Sequence, residues 1–454
     1  MPAYSVASGS GRASEDMRRR QLVRAVVAAT IGTTVEWYDT TLYALLVPLY
    51  IGRLFFPSGD AVTSALAGFA SLLVSFAARP IGGAIFGHFG DRLGRKATLV
   101  TTLLLAGTAS TLIGFVPTYA EIGIVGPALL LVLRLCIGLS LGGEWGGAVL
   151  LSLEWSGERN RGFWASWPQI GVVGASVLGF LAIGWSQALV GPNSWWAWRL
   201  PFIASAVLVV IGLYMRLGVL ETPTFARLLE SRRTERMPLV AVLQRNWREV
   251  ALTALLRMGE QAPLLVFTTF FLVYATTALG FSQREAVLIS IVSGIAGVIA
   301  PPYFGFISDL IGRRRMFTIG VCAMAVYAVP YFLLLDTQAT SVVLLAQIGA
   351  QVIGAAMAGP EAAFIAESFT GRVRYSGASL GAGLGAPIAG GAASVVSVLL
   401  FQRFQSAIPV GLYMIGCCLV SLLAAGLLRD RTDEDVSMDY DAPELPGASV
   451  TVNA

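Results

Sequence analysis

The sequence predicts an all-α polytopic membrane protein, twelve transmembrane helices in two six-helix bundles. Three observations predict it. Of 454 residues, 56% are hydrophobic, only 13% are charged and 50 are glycine, whereas soluble domains carry about 25% charge. Twelve apolar runs reach the ~20 residues that a bilayer-crossing helix needs. Basic residues gather in alternate gaps between those runs. This composition argues against a water-soluble enzyme, a disordered chain and a disulfide-stapled fold.

The runs, in order, are 22–51, 62–88, 97–116, 122–151, 164–189, 198–218, 250–278, 285–309, 316–336, 341–368, 374–402 and 407–428. Arg18, Arg19 and Arg20 precede a first run too long for a cleavable signal, so it reads as a retained anchor. With the N-terminus in the cytoplasm, 24 of the 31 Lys and Arg residues fall in inner segments. Only Arg53, Arg199, Arg284 and Arg403 fall outside, and Arg79, Arg134 and Arg257 lie within the membrane. Both termini are therefore expected in the cytoplasm of a multi-pass cell-membrane protein. The expected organisation is a cytoplasmic segment 1–21, an N-terminal bundle 22–218, a cytoplasmic linker 219–249, a C-terminal bundle 250–428 and a disordered cytoplasmic tail 429–454. Cys136, Cys322, Cys417 and Cys418 sit in apolar runs without metal spacing and read as core residues.

The two halves resemble each other. Gly87-x-x-x-Asp91-Arg92-Leu93-Gly94-Arg95-Lys96 follows the second run, and Gly305-x-x-x-Asp309-Leu310-Ile311-Gly312-Arg313-Arg314 follows the eighth. Glu154, Arg159 and Arg161 recur as Glu367, Arg372 and Arg374. Two six-helix halves repeated in this way are the pattern of the major facilitator architecture, and the first motif is similar to its loop signature. That resemblance implies a cytoplasmic latch built on Gly87, Asp91, Arg92, Gly94 and Arg95, with Asp309 and Arg313 in the second copy. Gly87 is expected to permit a tight helix end. The second copy lacks a basic residue after its aspartate, which predicts a weaker latch.

A narrower resemblance rests on Glu36-Trp37-Tyr38-Asp39, Arg79-Pro80-x-Gly82, Arg134-x-x-x-Gly138-x-x-x-Gly142-Gly143-Glu144, Glu221-Thr222-Pro223-Thr224-Phe225 and Ala366-Glu367-Ser368-Phe369. This set resembles the metabolite:H⁺ symporter family, whose members are permeases for 2-oxoglutarate, shikimate, citrate, other carboxylates, and proline or betaine. Thr40 and the Glu-Ser-Phe-Thr segment depart from the family pattern.

Charge inside a bilayer is costly and usually serves function. It concentrates here in runs 1, 4, 7 and 10: Glu36 and Asp39, Arg134 and Glu144, Arg257 and Glu260, and Glu361. Glu36 and Asp39 share a helix face, and two neighbouring carboxylates out of water suit proton pick-up. Asp39 is the first choice as proton carrier, with Glu36 and Glu144 beside it; a permanent Asp39–Arg134 ion pair is the alternative. Arg79, Arg134 and Arg257 are the candidate anion receptors, because guanidinium forks match carboxylates; pairing with internal carboxylates alone is the alternative. Trp37, Tyr38, Tyr43 and Glu260 complete the expected pocket. His88 reads as an interfacial group, and Trp195, Trp196 and Trp198 as an aromatic belt. Glycines of run 11 would permit bending.

No nucleotide-binding loop, zinc spacing or nucleophile elbow occurs. The expectation is a non-enzyme without cofactor or metal, a proton-coupled symporter importing a small carboxylate-bearing metabolite. Its partners would be the metabolite, H⁺ and the lipid bilayer, with no nucleic acid and no obligate protein partner. The alternatives are uptake of a zwitterionic osmolyte such as proline or betaine, an uncoupled facilitator, or efflux.

Overall fold

The computed structural model describes residues 11–58, 61–157, 160–222, 224–226, 235 and 237–434. Residues 1–10, most of 223–236 and all of 435–454, which include parts of the expected segment, linker and tail, lie outside the described residues. The described residues form helices and no strands. Eleven of these helices are long and apolar enough to cross a bilayer. They are α2 (Leu66–Leu93), α3 (Arg95–Ile113), α4 (Val125–Ser156), α5 (Arg161–Val190), α6 (Arg199–Leu217), α7 (Trp247–Thr277), α8 (Gln283–Ile311), α9 (Arg313–Leu335), α10 (Thr340–Glu367), α11 (Arg374–Phe404) and α12 (Ile408–Leu427). The twelfth, α1 (Gly11–Leu46), packs along α5, α4 and α6. It is less apolar because Thr33, Thr34, Glu36, Asp39 and Thr40 occupy its middle.

Helix ends follow local chemistry. α2 runs on through the loop motif to Leu93, beyond the expected end at 88, and stops at Gly94, whose φ of +114° only glycine adopts without strain. Gly312, at φ +98°, repeats this between α8 and α9. Gly87 is not at a helix end. It lies inside α2, and a Cβ there would stand 2.7 Å from Cα of Ser376, so its role is close approach to α11. Pro301 and Pro302 interrupt α8, whose two parts are Gln283–Gly297 and Ala300–Ile311. α7 turns at Arg257 and contains a π-helical turn at Val266–Phe270. α1 continues into one at Val47–Ile51, and α11 holds one at Ala386–Gly391.

Each half packs through small residues. Gly82, Gly138 and Gly142 bring the backbones of α2 and α4 together. Between the halves, α2 lies on α11 and α5 lies on α8. These two seams repeat each other, as the internal sequence repeat requires.

Candidate functional site

A cavity of about 1390 Å³ lies between the halves, walled by α1, α2 and α5 on one side and α7, α8, α10 and α11 on the other. It reaches Asn193, Arg284 and Gln402 in or beside the loops at the end away from the motifs. Its walls are largely apolar, with the rings of Trp37, Phe69, Phe76, Phe180, Phe267 and Phe401 among them. Two of the three π-helical turns, Val47–Ile51 and Val266–Phe270, contribute residues to it, and such turns recur at functional sites.

Below Trp37 and Phe76 lies a buried layer of charge. Arg79 places its guanidinium 4.2 Å from the centre of the Phe76 ring and 5.5 Å from that of Trp37. It is 7% exposed, is not on the cavity wall, and forms no ion pair among the described residues. Arg134, by contrast, is fully buried and pairs with Asp39 at 2.5 Å. Its guanidinium lies 3.9 Å from the centre of the Tyr43 ring, and Ser110 donates to Asp39 at 2.7 Å. Arg257 pairs with Glu361 at 3.4 Å and Glu260 at 3.7 Å, and lies 4.6 Å from the Trp145 ring of the other half. Glu36 is buried, and one of its carboxylate oxygens accepts no hydrogen bond.

The expected pocket aromatics separate. Trp37 lines the cavity, whereas Tyr38 turns to α6 and donates to the Pro201 carbonyl at 2.7 Å. Successive helix residues point about 100° apart, so the two cannot share one wall. Tyr43 packs on Arg134 and bonds Ser71. Trp195 and Trp196 are exposed, as a belt requires, but Trp198 is buried against Phe55. His88 is half-buried beside Phe89. Glu144 bonds Arg216 and accepts from Thr102 at 2.8 Å. Arg216, in the last turn of α6, is buried and part of this cluster.

At the motif end the halves are tied by two matching latches. The Asp91 carboxylate accepts from the N–H groups of Tyr375 (3.2 Å) and Ser376 (2.8 Å) at the start of α11. The Asp309 carboxylate accepts from those of Gly162 and Phe163 (both 2.9 Å) at the start of α5. Negative charge at a helix N-terminus is favourable in both. Arg95 lies 3.3 Å from Asp91 and 3.5 Å from Glu154, and Arg313 lies 2.7 Å from Asp309 and 3.4 Å from Glu367. Arg161 joins Glu367 at 3.3 Å, and Arg374 joins Glu154 at 3.9 Å. The second latch is as closely bonded as the first. Arg92 is exposed, as is Leu310 in the second copy, so the missing basic residue takes nothing from the bonding.

Sequence reading also missed the caps behind the latches. Glu221 accepts from the N–H groups of Arg95 (3.1 Å) and Lys96 (3.3 Å). In the repeat, Asp430 accepts from Arg314 N–H (3.1 Å) and Thr432 from Arg313 N–H (3.1 Å).

A sequence profile described as Major Facilitator Superfamily matches residues 29–390. The chain belongs to the Major Facilitator Superfamily. The transporter is 34% identical to the inner membrane metabolite transport protein YhjE of Escherichia coli K12, over 90% of this chain and 95% of that one. It is 32% identical to the shikimate transporter of the same strain, covering 90% and 94%. It is 30% identical to the proline/betaine transporter of Salmonella typhimurium, covering 91% and 84%. These relatives are transporters rather than enzymes, and the resemblance to the metabolite:H⁺ symporter family holds. The proton:xylose symporter XylE bound to a bromodeoxyglucose superposes with a TM-score of 0.74 at 16% identity, over 92% of this chain and 98% of that one. It shares the fold. Among the described residues no cluster of His, Cys, Asp and Glu could hold a metal ion.

Proposed function

We propose that the transporter is a proton-coupled symporter of the cell membrane, importing a small carboxylate-bearing metabolite by alternating access. The observation that carries this reading is Arg79, a buried guanidinium that makes no ion-pair contact among the described residues and feels the Glu36 carboxylate only at longer range, set against the cavity floor between the two halves. An unpaired buried cation is costly, and a substrate carboxylate would satisfy it bidentately. Asp39, already held by Arg134 and Ser110, supplies the proton-binding carboxylate: protonating it releases Arg134. With the motif end in the cytoplasm, the cavity opens outward and the latches hold the inner side shut.

The rings in the cavity wall, Trp37 and Phe76 among them, favour a second reading, a zwitterion whose cationic end rests on rings. Such a substrate also carries a carboxylate, so Arg79 serves both. The test uses liposomes loaded with a pH dye and offered mono-, di- and tricarboxylates, shikimate, proline and betaine. Internal acidification with one compound, lost in Asp39→Asn, is the expected result. Entry of labelled compound without acidification would make the chain a facilitator and remove Asp39 from the mechanism.

A further inference from the structure

Two buried acid–base units of the same build lie along α3. In the first, Asp39 is held by Arg134 and by the hydroxyl of Ser110. In the second, Glu144 is held by Arg216 and by the hydroxyl of Thr102. Thr102 and Ser110 are eight residues apart, and Glu144 and Arg134 ten, which sets the units ~12–15 Å apart along the helices. The second unit is the one nearer the latches.

Helix α1 joins them. Glu36 is one turn before Asp39, and Gly32 one turn before Glu36. A Cβ at Gly32 would stand 2.8 Å from Glu144 Oε1, so the α1 backbone rests directly on the Glu144–Arg216 pair. Glu36, with its unbonded carboxylate oxygen, therefore sits between the units. Arg216 interacts electrostatically with both Glu36 and Tyr375, and Arg79 acts on Glu36 from α2.

Glu144 thus bonds Arg216 from α6 and Thr102 from α3, and around Arg216 stand Glu36 from α1 and, from the opposite half, Tyr375. The Tyr375 ring packs on Gly90 and its hydroxyl on Gly147, about one helical turn from Glu144 on the motif side. Its own N–H is one of the two that Asp91 holds.

We propose that Glu144, positioned by Arg216 and Thr102, is an inner proton-release site distinct from Asp39, kept closed by Tyr375 until the Asp91 latch opens. The proton passes from the Glu36 carboxyl O–H to a Glu144 carboxylate oxygen, leaving Glu36 ionised. After opening, the Glu144 O–H bond breaks, the proton goes to inner water, and the carboxylate left behind pairs again with Arg216. The proposal rests on proton coupling as read above.

The test needs no substrate, so its failure is separable from failure of the transport reading, which the dye-loaded liposomes examine. The full chain in lipid is titrated with acid while its infrared carboxyl bands are recorded. The latches are opened by Asp91→Asn with Asp309→Asn, and opening is read as a shortened distance between spin labels at Asn193 and Gln402. The opened protein is expected to gain a protonated-carboxyl band that Glu144→Gln removes. Thr102→Val, which keeps the side-chain volume, should move the midpoint of that band by about threefold or more in proton affinity. A band unchanged by Glu144→Gln, no gained band, or the same band in the closed protein overturns the proposal.

Discussion

Asp91 and Ser376 belong to opposite halves of the chain, and the Asp91 carboxylate accepts the Ser376 backbone N–H at 2.8 Å. Asp309 makes the matching bond to Phe163 at 2.9 Å. Both are hydrogen bonds to a charged acceptor, worth about 1.5–3 kcal/mol each. Asparagine would turn an amide N–H toward one of the two donors. Asp91→Asn should therefore shift the balance toward the inward-open state by about tenfold or more, and the distant Asp309→Asn should add to it. Spin-label distances across the cavity rim measure the shift.

Arg79 should be intolerant even of lysine, which has charge but no planar fork. Arg79→Lys is expected to raise the substrate KM by about tenfold or more, the scale of one lost charge-assisted bond. Arg79→Gln should abolish uptake. Labelled uptake into liposomes with the compound that acidifies the wild type checks both; an unaltered KM in Arg79→Lys would remove Arg79 from the substrate site.

The floor aromatics separate the two substrate readings. Trp37→Leu keeps an apolar floor but loses the ring face. Affinity for a betaine-like zwitterion should fall by a cation–π contribution of about 0.5–2 kcal/mol, while affinity for a plain carboxylate changes less. Competition of both ligand types against one labelled substrate gives the comparison.

Gly142 meets backbone rather than a movable side chain. A Cβ there would stand 2.5 Å from the backbone N of Gly83 and closer still to the Arg79 carbonyl. Gly142→Ala should destabilise by about 1–3 kcal/mol through overpacking. Gly184, also helical, has nothing within 4 Å of its Cβ position, and Gly184→Ala should leave stability unchanged or slightly raised. Thermal unfolding in detergent distinguishes them.

Much of this was legible in the sequence. Helix number followed from apolar runs, and the latches from a motif written twice. The buried charges were marked by their cost in a bilayer. Rotation about each helix axis was not legible, because a membrane helix is apolar on nearly every side; Trp37 and Tyr38 therefore looked alike as wall residues. Arg216 counts in the sequence only as one of the inner-side basic residues, since an arginine at a helix end usually snorkels to the surface. Here it turns inward to Glu144. The pairing of Asp39 with Arg134 joins residues 95 positions apart, and composition named both without choosing between partner and receptor. The caps could have been found by extending the repeat, since Glu221-Thr222 after α6 has its counterpart in Asp430 and Thr432 after α12.

The Trp37 and Phe76 rings stand between the cavity and Arg79. A ligand must therefore shed water against aromatic surface before its charge meets the guanidinium. Sulfate and phosphate, strongly hydrated and without apolar surface, gain nothing on those rings to offset that loss. An organic acid gains at each step. On the proposed reading of Arg79, the position of these two rings thus selects against the abundant inorganic anions of the surroundings, with no residue devoted to repelling them.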